Sequence, residues 1–160
     1  MTETIDFRLN GDPIEANVRP LETLQTVLRE RLQHFSVKSG CDQGGCGSCT
    51  VLVDGDPVVS CLLPAAEVHG AEVTTLEGIT PDQGLNPIQE SFVENNGMQC
   101  GYCTPGMIMK THALFDHNPD PSTEEIEETL GENICRCTGY YSILDSVEDA
   151  KEALSGQAGD

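Results

Sequence analysis

Cysteine is the residue type in this chain that is best suited to chemistry, because its thiolate form binds zinc and iron. The chain has 160 residues, and its eight cysteines form two groups of four with none left over. The first residues carry neither the basic nor the apolar stretch of a secretion signal, so we expect a cytoplasmic protein with reduced thiols. Cysteines in such a compartment indicate metal ligands more readily than disulfides. The groups are Cys41, Cys46, Cys49 and Cys61, and Cys100, Cys103, Cys135 and Cys137.

The first group has the Cys-x4-Cys-x2-Cys spacing of a plant-type two-iron, two-sulfide cluster, followed by a more distant fourth cysteine. Such a cluster is anionic, and glycines near its ligands let the backbone turn N–H groups toward it. Structural zinc sites usually show two short pairs of ligands, which this spacing does not match. The spacing therefore predicts a 2Fe-2S cluster rather than zinc. The glycines concerned are Gly40, Gly44, Gly45 and Gly47.

The second group is less specific, because it consists of the CxxC pair Cys100–Cys103 and the CxC pair Cys135–Cys137. The two pairs together suit a zinc site, and the CxxC pair alone suits a redox dithiol. A second iron–sulfur cluster is favoured by a helix predicted to start at Thr104-Pro105, since helix N-termini offer unpaired N–H groups to an anion. Arg136 lies between two of the cysteines and would offset part of a cluster's charge. Spacing alone leaves the three alternatives open.

The first half of the chain is predicted to form short strands around one helix. Alternating apolar residues on either side of turn residues predict two β-hairpins, and Cys61 is expected at the end of the second one. Leucines at i, i+3, i+7 and i+11 predict an amphipathic helix between the hairpins. A last short strand is expected near residues 72–74. The predicted pairs are Ile5–Leu9 with Ile14–Val18 and Thr50–Val53 with Pro57–Cys61, and the leucines are Leu21, Leu24, Leu28 and Leu32.

The second half is predicted to be helical. From about Leu76 to Leu85 the chain carries turn residues without an apolar period, which predicts a domain boundary. Beyond it, N-cap and proline signals start two helices, a capping box starts a third, and an apolar stripe marks a fourth. The predicted domains are residues 1–78 and 79–155, with a frayed tail at 156–160. The signals are Asn86-Pro87, Thr104-Pro105, the box at Ser122, and the stripe Ile143, Val147, Ala150 and Leu154.

The composition is strongly acidic, with 27 Asp and Glu against 8 Lys and Arg and a formal net charge of −19 at pH 7. Nucleic acids and anionic membranes both need a cationic face, so neither is expected as a partner. No stretch approaches the roughly 18 to 20 apolar residues of a membrane span, so no membrane insertion is expected. Such acidity is typical of proteins adapted to high salt, where screening reduces self-repulsion. An ordinary acidic redox subunit is the alternative.

Three segments carry the cysteines: GCDQGGCGSCTVLVDG (Gly40–Gly55), QCGYCTPGMIM (Gln99–Met109) and ENICRCTGY (Glu132–Tyr140). In this order they resemble the signature segments of the small iron–sulfur subunit of the molybdenum hydroxylases. That family includes xanthine dehydrogenase, aldehyde oxidoreductase and carbon monoxide dehydrogenase. The resemblance runs from about residue 5 to residue 150, and the paired motifs are highly specific. It favours a second iron–sulfur cluster over zinc or a dithiol.

The resemblance implies an α+β fold in which a plant-ferredoxin-like β-grasp domain is followed by an all-α, four-helix iron–sulfur domain. It implies two 2Fe-2S clusters, with four cysteine ligands each. The first would be held by Cys41, Cys46, Cys49 and Cys61, and the second by Cys100, Cys103, Cys135 and Cys137.

The resemblance also implies a role as the electron-transfer subunit of an oxidoreductase complex, inert toward substrate when alone. In the family the second cluster lies nearest a molybdenum–molybdopterin cofactor in a large subunit, and the first passes electrons to FAD in a medium subunit. The residues that match Gln99 and Cys137 approach the pterin. Two departures from the family pattern are Ser48, often Ala, and Glu132, whose negative charge near the second cluster is expected to lower its potential.

Two other functional classes are weighed against this one. A free soluble ferredoxin-type electron carrier needs only one cluster, so the helical half with four more cysteines argues against it. A zinc-stabilised interaction module would be colourless, whereas an iron–sulfur protein is brown. The residues show no general base, nucleophile or substrate pocket that would make the chain catalytic alone.

Overall fold

A computed structural model describes residues 2–157, which form a mixed α+β fold: a five-stranded sheet is followed by several helices. The strand order is β2-β1-β5-β3-β4, with β1 and β5 parallel and the other neighbours antiparallel. The strands are β1 (Glu3–Leu9), β2 (Asp12–Val18), β3 (Thr50–Val53), β4 (Asp56–Val59) and β5 (Glu72–Thr74).

Both predicted hairpins are confirmed. The β1–β2 turn places Asn10 and Gly11 at positive φ, and the β3–β4 turn does the same with Asp54 and Gly55. Asn-Gly and Asp-Gly pairs tolerate this backbone, which matches the twist of the paired strands. One detail was wrong: β4 ends at Val59, so Cys61 lies in the turn after the strand rather than at its end.

The helix between the hairpins is shorter than the leucine spacing predicts. The helix α1 (Leu24–Thr26) continues directly into a π-helical turn, Val27–Arg31. Leu24 and Leu28 are fully buried, as the apolar stripe predicts. Leu21 is not part of it, because its φ of 61° lies in the left-handed region and its side chain is 84% exposed.

The second half contains the four predicted helices. Asn86 and Ser122 both form capping boxes, so two of the predicted starts are confirmed. Thr104 does not cap its helix but is its first residue, with Cys103 at the cap position. The predicted boundary segment begins with a short helix that its sequence does not reveal. The helices are α2 (Leu76–Ile79), α3 (Pro87–Glu94), α4 (Thr104–His117), α5 (Thr123–Gly131) and α6 (Tyr141–Gln157).

The end of the chain continues α6 as far as Gln157. The first two residues of the predicted tail at 156–160 are therefore helical, and residues 158–160 lie outside the described part of the chain. Within residues 2–157, no helix has the length and apolar character needed to cross a membrane.

Two apolar cores hold the fold together. The sheet and α1 enclose the first, which includes Leu28 and Val51. The helices of the second half enclose the other, around Phe92. Leu52 of β3 packs against Met109 of α4, so the sheet and the helices are in direct contact. The two halves of the chain therefore pack against each other through β3 and α4.

Candidate metal centres

The first cysteine group lies in an irregular loop before β3 and in the turn after β4. Cys49 directly precedes β3 and Cys61 follows β4, so the hairpin brings these two residues together. The Ser60 hydroxyl donates to the Cys49 carbonyl at 2.7 Å, which fixes the turn against the loop. Cys49 and Cys61 are buried, whereas Cys41 and Cys46 are partly exposed.

The thiols of this group differ in pKa, because Cys41 accepts hydrogen bonds from the backbone whereas Cys61 is buried. The backbone N–H of Gln43, which lies 3.4 Å from the Cys41 Sγ, lowers the pKa of that thiol to about 7, and the Cys46 thiol adds to the effect. Burial, followed by the effect of the neighbouring Cys49 thiol, raises the pKa of the Cys61 thiol to about 11. The loop therefore turns N–H groups toward sulfur, as an anionic cluster requires.

The second group is formed by the residues before α4 and the segment between α5 and α6. The Cys137 and Cys100 sulfurs are 3.6 Å apart and both residues are exposed. Burial raises the pKa of the Cys103 thiol to about 12, followed by the effect of the adjacent Cys135 thiol. The N–H and hydroxyl of Thr138 lie 3.5 and 3.1 Å from the Cys135 Sγ. Like the first group, this group therefore has a buried inner side, with Cys103, and a more exposed outer side, with Cys100 and Cys137.

The eight thiols are arranged in four neighbouring pairs. Two thiolates on one tetrahedral metal with bonds of about 2.3 Å lie about 3.7 Å apart. A two-iron cluster needs two such pairs, whereas a single zinc ion needs four ligands around one point. The donors therefore fit two 2Fe-2S clusters better than zinc. The pairs are Cys41–Cys46, Cys49–Cys61, Cys100–Cys137 and Cys103–Cys135.

Gln99 and Cys137, which the resemblance associates with a partner's pterin, are both exposed. They lie on the outer side of the second group, where Cys100 is also exposed. Nearby apolar side chains are unusually exposed for their size, including Met98, Ile134 and Tyr141. The second group therefore opens toward the surface, whereas its inner ligand Cys103 is buried.

The loops of the two groups are in contact through residues that the sequence does not single out. The backbone N–H of Ile134 donates to the Cys46 carbonyl at 3.0 Å, and the Asn133 amide donates to the Gly47 carbonyl at 3.2 Å. Asn133 is fully buried. Gly106 of α4 packs so closely on the Gly47 carbonyl that a Cβ there would overlap it. Asn133 lies in a loop, where no periodic pattern could have revealed its burial.

Glu132 does not act as the unpaired charge that its sequence position suggests. Its carboxylate forms an ion pair with Lys110 of α4. The lysine side chain is 7% exposed, so the carboxylate partners a cation that would otherwise be buried alone. The expected lowering of the second cluster's potential by a free Glu132 charge is therefore not supported by this geometry.

The fold and the paired thiols define the class of protein before any relative is considered: a chain with two iron–sulfur-binding regions. Residues 7–75 match a family described as a 2Fe-2S iron-sulfur cluster binding domain. Residues 75–148 match a second family, described as a 2Fe-2S binding domain. The division between the two matches falls at Thr75, which directly precedes α2.

Individual relatives narrow the class to a family. The nicotinate dehydrogenase small FeS subunit of Eubacterium barkeri is 44% identical over 93% of this chain and 95% of its own. The crystal structure of quinoline 2-oxidoreductase from Pseudomonas putida 86 contains a chain that is 39% identical, with a TM-score of 0.92 over 99% of this chain and 98% of that one. The aldehyde oxidoreductase of Desulfovibrio desulfuricans is 43% identical with a TM-score of 0.93, and the match covers 97% of this chain but 17% of that one. The chain belongs to the family of small iron–sulfur subunits of the molybdenum hydroxylases.

Proposed function

We propose that this chain relays single electrons from a molybdenum–molybdopterin cofactor in a large partner subunit to FAD in a medium subunit. Its architecture would be a plant-ferredoxin-like β-grasp domain, residues 1–78, followed by a four-helix iron–sulfur domain, residues 79–155. The observation that carries the proposal is the arrangement of eight cysteines as four thiol pairs in two groups, within a chain of this family. When bound, each 2Fe-2S cluster takes up and releases one electron.

All eight cysteines are cluster ligands in this proposal. Cys41, Cys46, Cys49 and Cys61 hold the first cluster, and Cys100, Cys103, Cys135 and Cys137 hold the second. The buried ligands keep water from the inner side of each site. The N–H groups of Gln43 and Thr138 point at ligand sulfurs and stabilise their negative charge.

The outer side of the second group is the proposed contact with the large subunit. Cys100, Cys137 and Gln99 are exposed there, and exposed apolar side chains lie within a few residues of them in the sequence. Apolar side chains are normally covered when a subunit interface forms. Gln99 and Cys137 would then face the pterin. The choice of substrate belongs to that partner, because this chain contributes no substrate-binding group to the proposal.

The proposed location is the cytoplasm. The proposal assigns all eight cysteines to clusters and leaves none for a disulfide, which is consistent with a reducing compartment.

Iron analysis combined with electron paramagnetic resonance (EPR) tests the two-cluster proposal. Anaerobically purified protein should contain about four irons per chain and show two distinct paramagnetic centres on full reduction. Cys49→Ser should remove the first centre and leave the second, and Cys103→Ser should do the reverse, so each variant is the other's control. Circular dichroism checks that both variants fold. A wild-type protein with one centre, or with zinc and no colour, contradicts the proposal.

A separate measurement distinguishes a complex subunit from a free ferredoxin. Affinity purification from the native host should recover two larger chains together with molybdenum and flavin. Recovery of the chain alone, fully loaded with iron, would instead support the free electron carrier.

A further inference from the structure

The CxxC segment of the second site is tied to the first site through one side chain. Within residues 2–157, the single hydrogen bond that joins Cys100–Cys103 to the loop at residues 38–49 is donated by Tyr102. Its hydroxyl lies 2.6 Å from the Ser39 carbonyl oxygen. The Lys38 ammonium group lies 6.0 Å from the centroid of the Tyr102 ring, within the range of a cation–π contact. Tyr102 is therefore contacted at both its ring and its hydroxyl while remaining 45% exposed at the surface.

The acceptor of this hydrogen bond is itself held in place. The Gln25 amide donates to the Lys38 carbonyl at 3.0 Å, and the Lys38 N–H donates to the Ser48 carbonyl at 3.2 Å. Gln25 and Ser48 are both buried. Ser39 is thus preceded in the chain by Lys38, whose backbone is held by these two hydrogen bonds. It is followed by Gly40, which packs tightly against the Cys46 sulfur.

The other half of the second site does not depend on Tyr102. The CxC segment, which contains Cys135 and Cys137, follows two residues that contact the first loop directly: Asn133 and Ile134. In the described part of the chain, the backbone of the CxxC segment forms no hydrogen bond with that loop. Gly106 of α4 packs on the Gly47 carbonyl and holds the Cys103 end of the CxxC segment close to the first loop. Removing the Tyr102 hydroxyl would therefore loosen the exposed Cys100 end of that segment, while Cys103 and the CxC segment stay in place.

We propose that Tyr102 is a positioning residue whose hydroxyl sets the separation and relative orientation of the two metal sites. The proposal rests on the proposed function, since it requires both cysteine groups to hold clusters. Tyr102 lies between two ligands, Cys100 and Cys103, and bonds to a residue two positions before a third, Cys41. This hydrogen bond therefore couples the position of the CxxC segment to that of the loop that carries Cys41.

Magnetic coupling between the two reduced centres tests this role. Dipolar coupling falls steeply with distance, so a loosened segment changes or broadens the spin–spin splitting in the EPR spectrum of the fully reduced chain. We expect Tyr102→Phe to retain about four irons per chain and to lose or broaden that splitting. Ser155→Ala is the control, because it also removes one hydroxyl that donates to a backbone carbonyl, at an exposed position near the end of α6. It should leave the spectrum unchanged.

Two results would overturn the inference. An unchanged splitting in Tyr102→Phe would show that the hydroxyl does not set the geometry. Loss of half the iron would show that it holds the second cluster rather than spacing the two sites. Both results are distinguishable from failure of the proposed function, which wild-type protein with a single centre would reveal without any variant.

Discussion

Gly106 shows how a residue without a side chain can determine the packing of two metal-binding loops. It lies on α4, where a Cβ would overlap the Gly47 carbonyl and crowd the Asn133 amide. Elsewhere in helices, replacing glycine by alanine is usually favourable, since alanine restricts the unfolded chain. At this position the steric cost should exceed that gain.

We expect Gly106→Ala to lower the free energy of unfolding by about 1–3 kcal/mol, as overpacking does in other cores. Gly131→Ala is the matched control, because a Cβ at that helical position meets no atom within 4 Å. It should be neutral or stabilise by up to about 1 kcal/mol. Denaturant unfolding of the iron-loaded variants measures both. Equal effects of the two substitutions would mean that the loops have room to separate.

The cysteine groups were predictable from sequence, whereas the residues that join them were not. Cysteine spacing reflects the number and order of ligands, so both groups and their glycine-rich surroundings could be identified directly. Asn133 and Tyr102 act through hydrogen bonds to backbone carbonyls of a distant loop. No spacing rule encodes such a contact. Glu132 was noted for its charge, but its pairing with Lys110 depends on the packing of α4 beside α5.

At the scale of elements, local chemistry predicted the hairpins and two helix starts, because turn and capping residues act within a few positions of themselves. The predicted start of α1 was wrong, because the helix begins at Leu24. Leu21 fits the helical spacing, but its left-handed backbone lies outside the helix. The central pairing of β1 with β5 joins residues as far apart in the sequence as Arg8 and Glu72. The alternation of apolar residues indicates a strand but not which strand it pairs with.

Helix α2, at the junction of the two halves, is held to the first half by Glu77. The Ser36 and Thr75 hydroxyls donate to its carboxylate at 2.5 and 2.7 Å. Burial raises the pKa of Glu77, but these hydrogen bonds outweigh that effect and bring the pKa below its ordinary value of 4.5. A carboxyl whose pKa is lowered by folding stabilises the fold above its unfolded pKa, and this stabilisation is lost as pH falls through the folded pKa.

Glu77→Gln should therefore cost about 1 kcal/mol of unfolding free energy at neutral pH, a value reduced by partial exposure. The difference from wild type should shrink as pH falls below 4.5. Denaturant unfolding at a series of pH values measures it, at points where the visible absorbance of the clusters is retained. Glu67→Gln, at an exposed position, is the control. A difference that stays constant with pH would contradict the assignment.

For the whole molecule, the dominant electrostatic feature is a net charge of −19. Much of it lies on exposed surface, including a run of glutamates on α5. Screening shortens the reach of charge repulsion from about 10 Å at 0.1 M salt to about 3 Å at 1 M. Repulsion between carboxylates should therefore destabilise the fold most at low salt.

We expect the melting temperature of the iron-loaded chain to rise by about 5 °C between low and molar potassium chloride, equivalent to ~1–2 kcal/mol. A triple variant, Glu124→Gln, Glu127→Gln and Glu128→Gln, should show a smaller rise, because it removes three exposed charges. Differential scanning calorimetry gives both values. A melting temperature independent of salt would remove the idea that this surface is adapted to salt.

The parallel pairing of β1 with β5 has a consequence for how the chain matures on the ribosome. The middle of the sheet cannot close until Glu72–Thr74 has been synthesised, although β1 is among the first residues made. At about 5–20 residues per second, the chain from Cys61 to the end of β5 takes roughly 1–3 s to synthesise. The sheet beside the first cysteine group is therefore completed only after all four of those cysteines have been made.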